Sequence, residues 1–366
     1  MSAAGREAAA IGSVAVVGLM FLQYIHTLRG VAILLIVATH CMPVLDWTGH
    51  RQEFRAVDIL TTNGTAMFVF ISGFLFQHLS GRFDFAAYLR TKARYVLLPY
   101  LLVSLPAIAY RMAAHSDIAG LTDAWYEQTN PLLQALWFLS TGAHLGPLWF
   151  IPVIALVYLL APLLVRLDRD GRFYWLLPLL LVAGSFVHRP EHNINPLHAL
   201  ANLLPVYIAG MWLSRYKERV LPVLDRWLPA LALLWVALCV GHFLWVDYTG
   251  LIYVKSFLGP DSWRVEWTFW QKLVLILLLI ALFRRYERRI PHGAFDELAT
   301  ASFSIYFLHG YLTLTADRSL IWNGLSVPGS APMLVLLTLA VTVACLAFIR
   351  TVKALAGTRS RLLVGS

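Results

Sequence analysis

The sequence predicts an all-α protein, a polytopic bundle of about ten transmembrane helices with both termini in the cytoplasm. Three observations carry that expectation. Hydrophobic residues make up 59% of the 366 and charged residues only 13%, about half the ~25% usual in soluble domains. Apolar stretches approaching the ~20 residues needed to cross a bilayer recur along the chain. Between them, the basic residues fall in clusters that alternate in phase. This composition excludes a disordered chain, a disulfide scaffold and almost any soluble enzyme of this length.

The apolar segments place ten spans at 27–45, 64–81, 94–113, 146–166, 173–188, 198–214, 229–246, 267–285, 299–318 and 331–353. The fifth and sixth are short, as tilted or partly interfacial segments are. Residues 131–140 (PLLQALWFLS) are apolar but too few to cross, which suits a re-entrant or interfacial helix. Ala10 to Leu22 has the length of a signal-peptide core but lacks its charge pattern and runs straight into the first span. Residues 1–23 therefore read as an N-terminal extension, 24–355 as one membrane domain and 356–366 as a cytoplasmic tail.

Orientation follows from the excess of cations in cytoplasmic loops. Of the 29 Lys and Arg residues, nineteen lie in the loops after even-numbered spans and in the tail, and eight in the opposite loops. The net charge of +9 is thus topological, and a nucleic-acid partner is not expected. The three cysteines, Cys41, Cys239 and Cys345, sit in or beside apolar segments and form no disulfide framework. His188, His192 and His198 fit no metal-ligand spacing, so no metal is expected.

Ionisable side chains inside a membrane are costly and mark function by default. Arg29 and His40 are eleven residues apart in the first span. At 100° per residue they share one helix face, about 16 Å apart along the axis. A cation able to hold an anion thus stands below an imidazole able to move a proton. The alternatives are an arginine snorkelling to the headgroups and a histidine bonded to a neighbouring helix. None of the twenty Asp and Glu residues falls in the middle of a span, which weakens an ion-coupled transporter. Ser72-Gly73 in the second span suits close helix packing. Arg90, Lys92 and Arg94 form a basic collar at the level of Arg29. His309 lies mid-span with Tyr306 one turn before it, as a buried His–Tyr hydrogen bond or as a substrate or catalytic pair.

These residues fall into a recognisable series. Tyr24-Ile-His-Thr-Leu-Arg29-Gly leads by ten intervening residues to His40. Phe68-Val-Phe-Ile-Ser72-Gly73-Phe74, the basic run into Leu98-Pro99-Tyr100, Gly146-Pro147-Leu148-Trp149-Phe150-Ile-Pro152 and Ser302-Phe-Ser-Ile-Tyr306-Phe-Leu-His309 follow in order. The ordered set resembles the acyltransferase-3 family of bacterial membrane acyltransferases, which modify surface polysaccharides and related exported molecules. The resemblance implies a multi-pass protein of the bacterial inner membrane that moves an acyl group, most often acetyl, from cytoplasmic acyl-CoA to a hydroxyl of a glycan or lipid-linked glycan. It also implies that Arg29 and His40 are required. Ser72 and Trp149, inside matched motifs, become candidate substrate-binding residues. Fused relatives carry an extra extracytoplasmic domain beyond the last span, which raises a separate extracytoplasmic acyltransferase partner as an expectation here.

The chemistry expected is direct transfer. Arg29, Arg90 and Arg94 would hold the CoA phosphates, because guanidinium forks match phosphate geometry. His40 would act as general base, with Tyr306 and His309 positioning or stabilising the tetrahedral oxyanion. Two other readings stay open, a transporter of a glycan or lipid precursor and an acyltransferase with a non-glycan acceptor.

Overall fold

The computed structural model describes residues 22–116, 118, 120–246, 253–255, 264–290 and 292–365. Most of the expected N-terminal extension, 1–21, lies outside them. The described chain is a helix bundle. In order it runs α1 (Gln23–Cys41), α2 (Arg51–Thr61), α3 (Gly64–Leu79), α4 (Phe85–Lys92), α5 (Leu98–Ala113), α6 (Asp123–Gln128), α7 (Pro131–Thr141) and α8 (Phe150–Asp170). It continues with α9 (Leu177–Phe186), α10 (Pro196–Arg215), α11 (Lys217–Arg226), α12 (Leu228–Trp245), α13 (Trp267–Arg285), α14 (His292–Trp322), α15 (Ala331–Ala356) and α16 (Ser360–Leu363). Sheet among the described residues is a two-residue parallel pairing of Arg189–Pro190 with Tyr253–Val254.

A helix falls on each of the ten expected spans. Among the described residues, eight helical segments are long and apolar enough to cross a membrane. The expected fifth span is only the short apolar stretch Arg172–Phe186. The ninth belongs to α14, 31 residues long, which stands outside the eight. Thr300, Ser302, Ser304, Tyr306, His309 and Thr313 dilute its apolar character. The short helix expected at 131–140 forms as α7. Asn130 caps it by accepting from the Leu132 amide at 2.9 Å, and Gly142, at φ +73°, ends it in the left-handed region where glycine is strain-free.

Helix α1 is the axis. It packs on α3, α13, α14 and α15, with Leu28, Ala32, Ile33 and Val37 fully buried. The closest seam joins α3 to α10. A Cβ at Gly73 would collide with the Tyr207 carbonyl, and one at Gly210 with the Phe70 carbonyl. In lipid such backbone approach supplies the van der Waals packing that holds helices together. Helix α12 is peripheral, with Leu233, Leu234, Val236, Val240 and Leu244 turned outward, a face suited to acyl chains.

Alanine at Gly73 or Gly210 forces these backbones apart, an overpacking cost of about 1–3 kcal/mol. Thermal unfolding in detergent should show a lowered midpoint for either variant. Gly81→Ala, where a Cβ meets nothing within 4 Å, should match wild type.

Candidate active site

Arg29 and His40 both lie on α1, Arg29 in the lining of a cavity and His40 against His309. Arg29 is half-buried and lines a cavity of about 580 Å³ at the end of the bundle that carries the basic loops, within the ~300–1,000 Å³ range of ligand sites. Its wall is one helical face of the 85–97 segment. Tyr88, Thr91, Lys92 and Tyr95 recur at i, i+3, i+4 and i+7 and all line it. Ser72 of α3 and Phe150 of α8 form deeper parts of the lining. A π turn at Ala93–Leu97 joins α4 to α5, a helix irregularity frequent at functional sites.

The cavity is electrostatically one-sided. Arg29, Lys92 and Arg361 line it, against Asp84 as the single carboxylate in the lining. Asp84 is engaged as the N-cap of α4, accepting from the Ala87 amide at 2.6 Å. The Lys92 ammonium lies 5.3 Å from the Tyr88 ring centre and 5.1 Å from that of Tyr158, and Arg361 lies 4.1 Å from that of Tyr95. Aromatic faces therefore hold Lys92 and Arg361 without neutralising them, which suits a polyanion.

Deeper in the bundle, the His40 and His309 rings meet edge-to-face, 5.1 Å between centroids. His309 Nδ1 lies 2.9 Å from the Ile305 carbonyl. A carbonyl only accepts, so Nδ1 carries the proton and the neutral ring leaves a lone pair on Nε2. That Nε2 is buried with no hydrogen-bond partner among the described residues. The Tyr306 hydroxyl donates to the Pro147 carbonyl. Each member of the expected His–Tyr bond is thus committed to a backbone carbonyl, and their rings are 6.0 Å apart. Phe150, which lines the cavity, is 6.1 Å from Tyr306. The Phe150–Tyr306 pair therefore links the cation-lined space to the histidines.

Beside them, Trp149 is buried under Arg189, whose guanidinium carbon lies 4.6 Å from the ring centre. Arg189 donates to Asn63 Oδ1 at 2.6 Å, and the Asn63 amide donates to Glu266 at 3.4 Å. Thr268 and Asn202 donate to the same carboxylate at 3.0 and 3.4 Å. Burial pushes the Glu266 carboxyl up, opposed by the Arg189 charge and by the bonds from Thr268 and Asn202. Asn63, left-handed at φ 65°, a conformation asparagine tolerates, bridges two buried opposite charges.

A family model described as an acyltransferase domain matches residues 22–350. The chain belongs to the acyltransferase-3 family. Comparison with curated proteins and with solved structures gave no match. With eight helices among the described residues long and apolar enough to cross a bilayer, this acyltransferase-3 member is a multi-pass membrane acyltransferase.

In this acyltransferase the residues singled out from sequence divide into two groups. Arg29 and Ser72 share the cavity, and His40, His309 and Tyr306 gather at its inner end. Arg90 and Arg94 are exposed and absent from the cavity lining, and Trp149 is buried against Arg189. Lys92 and Arg361, unlike Arg90 and Arg94, line the cavity. The signal for Lys92 was its helical register with Tyr88 and Tyr95. Arg361 gave none, since only the fold brings the C-terminal segment to this cavity.

Removing one member of a buried charge network leaves the other uncompensated, at about 3–5 kcal/mol. Glu266→Ala and Arg189→Met should each sharply lower the yield of folded protein in size-exclusion profiles. The double variant Arg189→Met/Glu266→Gln should recover much of it.

Proposed function

We propose that this acyltransferase moves an acetyl group from acetyl-CoA, bound from the cytoplasm at the cation-lined cavity, to a hydroxyl of a surface or exported glycan at the other end of the bundle, in the bacterial inner membrane. One observation carries the reading. A cavity bearing three cations and no free carboxylate adjoins, through Phe150 and Tyr306, a histidine pair with an open lone pair.

Arg29, Lys92 and Arg361 hold the CoA phosphates, and the pantetheine arm runs along Ser72 and Phe150 toward His40. The acceptor hydroxyl attacks the thioester carbonyl while His40 takes its proton. The tetrahedral intermediate collapses, the C–S bond breaks, and the thiolate receives that proton from His40. The products are an O-acetyl ester and free CoA, with no net proton change. His309, its Nδ1 fixed by Ile305, orients the His40 ring, and its Nε2 receives a hydrogen bond from His40 or from the acceptor. The family supports acyl transfer, and the unneutralised cations support a polyanionic donor.

Purified His40→Ala, with wild-type unfolding behaviour, should lose acetyl transfer by a factor of about 10²–10⁴, the range of general-base contributions. Full activity in this variant contradicts the mechanism. Lys92→Ala and Arg361→Ala each remove a charge-assisted contact of about 1.5–3 kcal/mol, so steady-state kinetics should show KM for acetyl-CoA raised about tenfold or more. Arg90→Ala and Arg94→Ala should leave it near wild type.

A further inference from the structure

The wall of the cation-lined cavity is completed by a segment remote in sequence from the rest of the lining. Helix α15 ends at Ala356, and Gly357, at φ +54°, turns the chain through the left-handed region that glycine enters without strain. The residues beyond it fold back as the four-residue α16 against α5 and the π turn. Ser360 and Val364 are buried, and a Cβ at Gly365 would stand 3.1 Å from the Phe303 ring and 3.2 Å from that of Phe307. Arg361 and Gly365 line the cation-lined cavity. Val364 lines a separate apolar space of about 370 Å³ between α5, α14 and α15. Residues 357–365 are therefore a partition between two spaces, with one cation on the donor side.

Two features make this partition responsive to what the cavity holds. Its grip is small, since Ser360 and Val364 are the buried residues of 357–365, and segments with few buried contacts open at low cost. Its charge is unneutralised, because Arg361 lies over the Tyr95 ring and has no ion pair among the described residues. Arg29 and Lys92 line the same cavity. Three like charges around one space push the segment outward, and a polyanion between them draws it in.

Depth decides which part of a donor each cation meets. Arg29 and Lys92 are half-buried, and Arg361 is exposed. The thioester of acyl-CoA enters first to reach His40, so the pyrophosphate comes to rest at the inner pair and the ribose stays at the mouth. The 3′-phosphate on that ribose carries about two negative charges near neutral pH, and a guanidinium matches it with paired hydrogen bonds.

We propose that Arg361 binds the 3′-phosphate of CoA and that this contact docks residues 357–365 over the donor, closing the cavity for transfer and reopening it for release. The proposal rests on the acyl-transfer reading above and adds to it a specificity that charge alone does not confer. A donor with the same pantetheine and pyrophosphate but no 3′-phosphate lacks the group that closes the segment. Docking and donor binding strengthen each other by the same factor, as linkage requires.

The test uses the full-length protein in lipid nanodiscs, with CoA and dephospho-CoA, which differ only in the 3′-phosphate, as probes. Calorimetry on the wild type should give a Kd for dephospho-CoA about tenfold or more above that for CoA, the weight of one charge-assisted contact. Arg361→Gln should raise the Kd for CoA to the level of dephospho-CoA and leave that for dephospho-CoA within about twofold of wild type. Lys92→Gln should weaken both probes alike. Arg359→Gln removes the same charge from an exposed position of the same segment, outside the cavity lining, and should leave both unchanged. Hydrogen exchange in peptides spanning 357–365 should slow about fivefold or more on saturation with CoA. It should not slow with dephospho-CoA, nor with CoA on Arg361→Gln. If Arg361→Gln weakens both probes by the same factor, or if exchange is indifferent to saturating CoA, the proposal is overturned while acyl transfer stands. If the segment closes on CoA as expected but acetyl-CoA yields no acetylated glycan, the segment's role stands and the acyl-transfer reading fails. Absence of saturable CoA binding overturns both.

Discussion

The contact between α3 and α10 is the constraint on which the rest of the bundle depends. In a bilayer, apolar surface gains little from leaving lipid for protein, so helices associate where their backbones fit closely. Gly73 against Tyr207 and Gly210 against Phe70 are such a fit. The contact fixes the rotation of α3, and so turns Phe68 and Ser72 toward the cavity at the basic end. It also gives α1 a rigid surface to pack on. Arg29 and His40 are positioned by that surface as much as by their own helix.

On this frame the polar groups sit in three separate electrostatic settings. At the basic end Lys92 and Arg361 are held by aromatic faces and left unneutralised. The histidine pair is nearly free of formal charge around it, and a single carbonyl decides which nitrogen of His309 keeps a lone pair. The Arg189–Asn63–Glu266 network balances its charges internally, with Trp149 as the platform for the guanidinium. The unneutralised cations thus lie at one end, while the histidine pair lies deeper, with His309 fully buried, where electrostatic interactions are strong. The cation-lined cavity and the histidine pair therefore differ in polarity although they are two aromatic rings apart.

Much of this was legible in the sequence because it follows from helical periodicity. The shared face of Arg29 and His40, the placement of Tyr306 and His309 in one late helix, and the packing role of Gly73 are local. The short helix before α8 was visible from the apolar run 131–140. What periodicity alone did not disclose depends on long-range contact. Arg361 reaches the cavity from the end of the chain, and Asn63, Arg189, Asn202 and Glu266 meet from four separate segments. The basic collar was read as charge density, so Arg90 and Arg94 were chosen over Lys92, although only Lys92 of the three lines the cavity. Tyr306 and His309 suggested a mutual bond because they are one turn apart. The structure gives each a nearer carbonyl, from Pro147 and from its own helix.

The central claim is that the cation-lined cavity is the donor site and reaches Ser72 from the cytoplasmic side. It is tested most directly by labelling a single cysteine at Ser72, with Cys41, Cys239 and Cys345 replaced by serine or alanine, in sealed vesicles of known orientation. A membrane-impermeant maleimide should modify Ser72→Cys only from the cytoplasmic face, and acetyl-CoA should block that modification in a saturable manner. Modification from the opposite face alone, or at a rate indifferent to saturating acetyl-CoA, would contradict it.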